Sequence, residues 1–261
     1  MLYAIISALI TMNHFIEQQN DECVVYRSNG EVLLALMGSL QPVYDLDKKS
    51  IYCFEYFSEV SFNRGEEYDF GNPFLEMDEE CMRELVLCQL KHGAQFVKQY
   101  HQKVSFNVDS EDLSNNEFVA ELLKLSSVNL ILELNGYYLD SREAPAFINN
   151  IKALKRRGVE LWLDAYDPRN TRHNQFLKLK LWEGVKLSPD FSLTFTHNKA
   201  PLNLFAKLRA YVDKIILTDV TRPAGEQLAQ INQLYSQGNY YGYPTAIGDM
   251  EEFFISDRQH A

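Results

Sequence analysis

Short apolar runs alternate with helical stripes along most of the chain, and that rhythm predicts its elements. Residues 32–43 and 51–57 are apolar runs separated by the polar turn 44–50, a spacing that suits two adjacent strands. Residues 58–77 lack periodicity and are expected to form a loop. Behind the acidic start Asp78, Glu79 and Glu80, residues Met82, Leu85, Val86, Leu90, Phe96 and Val97 recur at helical spacing. Strands are then predicted at 103–108, 128–134, 159–163, 184–187, 214–217 and, weakly marked, 238–243. Helices are predicted between them, at 117–125, 141–157, 174–182, 200–211 and 224–237. From the third strand on this is the alternation of parallel crossovers, whereas the first two strands lie too close for a helical crossover. One of those two is therefore expected to run antiparallel to its neighbours. The expected organisation is an apolar and polar extension over 1–30, with residues 13–30 an exposed helix end and loop, and one barrel domain over 31–261.

The stretch Gly158 to Asp167 shows where chemistry belongs. A buried run, Val159 to Leu163, stops on Asp164, and in barrels of parallel strands the carboxyl ends of the strands hold the site. Other strand ends supply Glu55, Asn107, Glu133 and Lys186. Three carboxylates and an amide oxygen at one mouth suit a hard cation, and a nearby lysine would offset charge or touch a phosphate.

Composition narrows the partners. The formal charge of −11 over 261 residues argues against a nucleic-acid backbone, which needs clustered Lys and Arg. The basic run Lys155, Arg156 and Arg157 ends a predicted helix, where cations suit the dipole. Cys23, Cys53, Cys81 and Cys88 follow no zinc or paired spacing, so four reduced thiols and a cytoplasmic location are expected. Residues 1–12 are apolar, fall short of the roughly 20 that span a bilayer, and lack a basic leader region, which makes them a docking segment with no transmembrane span.

The strand-end motifs resemble the EAL family, phosphodiesterases that open the bacterial messenger cyclic di-GMP. Gln41-Pro-Val-Tyr-Asp45 resembles the family's Q-P-I segment, and Cys53-Phe-Glu-Tyr-Phe57 stands where the family has G-(Y/F)-E-A-L. Phe106-Asn-Val-Asp109 is similar to N-x-S, Leu132-Glu-Leu134 to E-L-T-E, Leu163-Asp-Ala-Tyr166 to D-D-F-G, and Val185-Lys-Leu-Ser188 to I-K-I-D. The resemblance implies a modified TIM-like (β/α)8 barrel of the α/β class with one antiparallel strand. It further implies that Glu55, Asn107, Glu133 and Asp164 match the ligands of the first of two metals, and that Lys186 matches the lysine near the attacking water.

The departures point away from catalysis. Ala165 stands at the second aspartate of D-D-F-G, Thr218 and Thr221 stand where the E-G-V-E glutamates belong, Glu59 replaces an arginine that would face phosphate, and Gly136 replaces the second glutamate of E-L-T-E. The Q-G-Y segment aligns equally with Gln237-Gly238 or with Tyr241-Gly-Tyr243. Two-metal hydrolysis needs both ions, and a glutamate facing phosphate repels it. The expectation is a catalytically inactive regulator with no required cofactor and at most one Mg2+, Mn2+ or Ca2+. The resemblance to stand-alone degenerate members of the family implies that it would act by binding a regulatory protein of motility or adhesion, with poor affinity for cyclic di-GMP.

Two alternatives stay open: a metal-dependent phosphodiesterase in which Asp167 or Asp219 replaces the lost ligands, and a receptor that binds without cutting through Gln41 and Lys186. Tyr56, Tyr68, Phe70, Phe74, Tyr137 and Tyr138 are the candidate contact aromatics, with packing on the barrel the expected role of any single one. His173 and His197 read as packed or solvated rather than as general bases. Family EAL domains often dimerise, although no sequence seam shows it here.

Overall fold

A computed structural model of the chain describes residues 14–61, 74, 77–125, 129–197 and 202–257. The apolar segment 1–12, Tyr68, Phe70 and the side chain of His197 lie outside the described residues. Strands β1 (His14–Gln19) and β2 (Glu22–Arg27) form a hairpin, followed by β3 (Val32–Asp45) and β4 (Ser50–Ser61). The expectation of a helix end and loop over 13–30 is thereby corrected. Cys23, Val24 and Val25 are buried in succession while Gln18, Gln19 and Asn20 stay in water, so the strand pair was disguised by the polar residues of β1 and the turn.

Helix α1 (Glu79–Tyr100) begins at Asp78, whose carboxylate accepts from the Cys81 amide at 2.8 Å. Then come β5 (Val104–Asp109), α2 (Ser110–Ser114), α3 (Asn116–Leu125), β6 (Leu130–Asn135), α4 (Ala144–Arg156), β7 (Glu160–Tyr166) and α5 (Thr171–Leu177). After these follow β8 (Gly184–Leu187), α6 (Pro189–His197), α7 (Leu202–Leu208), β9 (Lys214–Leu217), α8 (Pro223–Ile231), β10 (Tyr235–Gln237), β11 (Thr245–Ala246) and α9 (Met250–Asp257). The last barrel strand lies earlier than its predicted place at 238–243. Helix α8 stops at Ile231 because Gln233 takes a positive φ, and Leu234 and Tyr235 already belong to the next buried segment.

Strand β3 pairs antiparallel with both β4 and β10, and the neighbours from β4 round to β10 are parallel, which closes eight strands into a barrel. The chain thus has the modified (β/α)8 fold with one reversed strand that its spacing predicts. Among the described residues no helix is long and apolar enough to cross a membrane.

Cys23 and Cys88 are joined in a disulfide across 65 residues with their Cα atoms 6.2 Å apart, while Cys53 and Cys81 are free and buried. Four reduced thiols were expected because the linear spacing shows no pair; only the hairpin laid on α1 brings these two together. The aromatics divide as well. Tyr56 and Tyr137 are buried, Phe74 is half-buried, and Tyr138 is 51% exposed.

The period of two along a strand stacks the barrel interior in layers. The middle layer is apolar: Val43, Cys53, Ile131, Trp162 and Ile216. Gly184 leaves room for the Trp162 indole there, since a Cβ at 184 would lie 2.9 Å from the ring. Two residues toward the amino ends, Glu160 bridges Lys103 and Lys214 and accepts from the Tyr52 hydroxyl at 2.6 Å. Two residues toward the carboxyl ends lies the polar layer described below.

Burial pushes the Glu160 carboxyl up, but hydrogen bonds from Lys103 and Tyr52 and the charge of Lys214 hold it below the ordinary carboxylate range. A lowered folded-state value means that this stability is present above the ordinary glutamate range and is lost as pH falls through the folded-state value. Glu160→Gln is therefore expected to cost about 1–3 kcal/mol at pH 7 and to flatten the acid limb of stability against pH. Urea midpoints across the acid range check this; a variant as acid-sensitive as the parent would place the lability elsewhere.

Candidate functional site

The polar layer is set by the strand register. Glu55 lies two residues beyond Cys53, Glu133 two beyond Ile131, Asp164 two beyond Trp162, and Lys186 two beyond Gly184. Because β3 runs backwards, Gln41 reaches the same level two residues before Val43 and sits opposite Glu55 in the ladder. Asn107 pairs in register with Glu133. All six residues expected from the sequence therefore converge at the carboxyl-end mouth.

Their centre is an ammonium group. Lys186 Nζ lies 2.7 Å from Glu55 Oε2, 2.7 Å from Glu133 Oε2 and 3.7 Å from Asp164 Oδ1. Glu55 also accepts from Gln237 Nε2 at 2.6 Å and from Asn107 Nδ2 at 3.1 Å. Gln237 donates in addition to Gln41 Oε1 at 3.1 Å, and Gln41 Nε2 donates to Asn239 Oδ1 and to the Gly242 carbonyl. Gln237 thus takes the place beside the acids, and the rival alignment through Tyr241 falls away. Sequence reasoning left Gln237 undecided and missed Asn135, whose amide donates to Asn107 Oδ1 at 2.7 Å.

Electrostatics follow from burying three acids with one base. Burial disfavours the Lys186 ammonium, but the charges of Glu133, Glu55 and Asp164 outweigh it and raise its pKa well above the ordinary value. Glu55, which burial alone would raise, is held low by Lys186 and its amide donors. Glu133 goes the other way. Burial and then the Glu55 charge push it up to about 8 despite Lys186, and its Oε1 is buried with no hydrogen-bond partner among the described residues.

The oxygen donors are of the kind a hard cation takes, yet the arrangement does not fit one. The ammonium occupies the space between the carboxylates, and Asn107 turns its nitrogen toward Glu55 and its oxygen toward Asn135. Among the described residues no group of three or more His, Cys, Asp or Glu side chains is placed to hold a metal ion.

The second half of the mouth offers fewer donors still. Ala165 has a methyl group and a φ of +46° where an acid would stand, at a register break between Leu163 and Tyr166. Thr218 spends its hydroxyl on the Leu187 carbonyl at 2.7 Å, and Asp167 is held by Arg169 at 2.7 Å, which lowers its pKa chiefly through that hydrogen bond. His173 Nδ1 accepts from the Asp167 amide while its ring stacks on Tyr137 at 3.9 Å, so it is a packing residue. Glu59 lies exposed on the outer part of β4, and Lys155 is used by Glu183 and the Leu181 carbonyl. A cleft of about 280 Å³ opens over Gln41, Asp164, Ala165, Lys186, Asp219 and Asn239.

This is an eight-stranded α/β barrel with one reversed strand whose carboxyl-end mouth carries a ring of acids and amides around a lysine. The EAL domain model matches residues 35–244, and the chain belongs to the EAL domain family. An EAL domain protein from Listeria monocytogenes EGD-e superposes with a TM-score of 0.70 at 14% identity, covering 84% of this chain and 92% of that one. The EAL domain of Mycobacterium smegmatis DcpA gives 0.62 at 13%, covering 84% and 95%. The FimX EAL domain of Xanthomonas citri, solved with cyclic di-GMP, gives 0.64 at 10%, covering 81% and 88%. Among curated protein sequences none matches this chain.

Proposed function

We propose that this EAL domain protein does not hydrolyse cyclic di-GMP and acts instead by binding a bacterial regulatory protein of motility or adhesion. The observation that carries the first half is Ala165, a methyl group on a left-handed backbone where a metal-binding acid would be needed. Asp167 and Thr218 do not compensate, because Arg169 and the Leu187 carbonyl already engage them, and Asp219, which lines the same cleft, is the acid that product formation would implicate. A phosphodiester step assisted by two cations lacks its second cation, and water near Lys186 gains no second source of charge stabilisation. No cofactor is required on this reading. The second half rests on what remains once catalysis is removed: a rigid barrel with a polar mouth and exposed aromatic surface such as Tyr138.

One observation favours a second reading. The mouth cleft keeps Lys186 and the Gln41 amide along its wall, and the Xanthomonas citri relative was solved with cyclic di-GMP bound. A receptor that binds the nucleotide without cutting it fits those facts. Isothermal titration with cyclic di-GMP in Mg2+ or Ca2+, followed by chromatography for the linear dinucleotide, separates the readings. Neither heat nor product is expected. Heat without product would favour the receptor, and product would overturn the proposal.

A further inference from the structure

The β1–β2 hairpin lies outside the EAL match and is fastened to α1 at two points. Cys23 is bonded to Cys88, and Asp21 Oδ1 lies 3.5 Å from His92 Nε2. Cys88 and His92 are four residues apart, so one side of the helix takes both fastenings. Between hairpin and helix lies a small apolar cluster of its own, in which Val25 and Leu34 meet Cys81 and Leu85.

The two cysteines are both buried but differ in exposure, 0% for Cys23 against 8% for Cys88. Cys23 has no exposed surface, whereas Cys88 lines a surface cleft of about 450 Å³ together with Ile16, Gln18, Glu84, Lys91 and Glu121. That volume admits a small thiol. Glu84 and Glu121 face Lys91 and Lys124, the last paired with Glu121, so the charges around the cleft balance.

We propose that Cys88 is a thiol-exchange site, independent of any nucleotide chemistry, at which a small thiol opens the hairpin clamp. The incoming thiolate forms a bond to Cys88 Sγ, and the bond to Cys23 breaks. The electron pair leaves on Cys23, which takes a proton from solvent. A second thiol then attacks the mixed disulfide, giving the free Cys88 thiol and an oxidised thiol dimer. Opening leaves the hairpin held by the β2–β3 ladder and the Asp21–His92 contact, so local excursions of residues 14–27 become more frequent.

The test uses the full chain. Non-reducing peptide mapping of air-oxidised protein should yield the Cys23–Cys88 peptide, and acid-quenched mixtures with cysteamine should carry the adduct on Cys88. Cysteamine and mercaptoethanesulfonate are compared, each rate divided by that thiol's rate on a small neutral disulfide. The two normalised rates should match at low and high salt, because the charges around the cleft balance.

The rate should rise with thiol concentration without a plateau, and amide exchange over 14–27 should increase once the bond is open. Failure to find the crosslinked peptide would overturn the proposal. So would an adduct on Cys23, a plateau that marks exchange through unfolding, or a hairpin whose exchange is unaffected by opening.

Discussion

Lys186→Met is expected to cost about 3–5 kcal/mol at neutral pH, the usual consequence of removing one partner of a buried ion pair. The ammonium is the cation that holds Glu55, Glu133 and Asp164 together, at 2.7, 2.7 and 3.7 Å. Met has a similar length but leaves three carboxylates without their counter-charge. The variant has two ways out, and each has a signature. The first is protonation. Glu133 already titrates high, and without Lys186 the acids rise further. An acid whose folded value lies above its unfolded one loses stability as pH rises, so the gap between variant and parent should widen from pH 5 to pH 8.

The second way out is capture of a hard cation by the oxygen cage. Millimolar Mg2+, Mn2+ or Ca2+ should then raise the variant's denaturation midpoint, by about 2.7 kcal/mol at a hundredfold excess over Kd, and leave the parent's midpoint where it was. A parent that is itself stabilised by these ions would show that a cation displaces Lys186 without mutation. The one-metal reading of Glu55, Asn107, Glu133 and Asp164 would then replace the ammonium-centred one.

The strand ends were legible because a buried run that stops on a polar residue is hard to place anywhere but a barrel mouth. Glu55, Asn107, Glu133, Asp164 and Lys186 all lie where that pattern puts them. The reversed strand was legible from the short 44–50 turn. What the chain conceals is whatever depends on contacts between distant segments. In the hairpin over 14–27, β1 is mostly exposed and β2 buries a consecutive run from Cys23 to Val25, so β2 shows no alternation that declares a strand pair. Cys23 and Cys88 become partners only when that hairpin lies on α1. Tyr56 and Tyr137 take the packing role expected of any single one of the candidate aromatics: Tyr56 stacks on Phe106 and Tyr137 lies between His173 and Phe176. Whether Lys186 accompanies a metal or takes its place is a question of ångströms, and no spacing in sequence answers it.

Gly238→Ala is expected to cost about 2–4 kcal/mol, combining backbone strain with overpacking. Gly238 has a φ of +149°, and a Cβ there would lie 2.4 Å from both the nitrogen and the oxygen of Val220. Those are backbone atoms tied into the barrel rim, because the Val220 amide donates to the Gln237 carbonyl at 3.0 Å and its carbonyl accepts from the Tyr240 amide at 2.9 Å. The rim must therefore shift, and Gln237, which supplies an amide to Glu55 and Gln41, shifts with it. Gly30→Ala is the matched control: its φ is +85° and nothing lies within 4 Å of the added Cβ, so only conformational strain of about 1 kcal/mol applies. Denaturant midpoints of the two variants separate the terms. Equal losses would mean that the backbone around Val220 yields, and that the glycine is there for its φ alone. A larger loss at 238 would make it the residue that lets β10 close against the loop after β9 and aim Gln237 into the mouth.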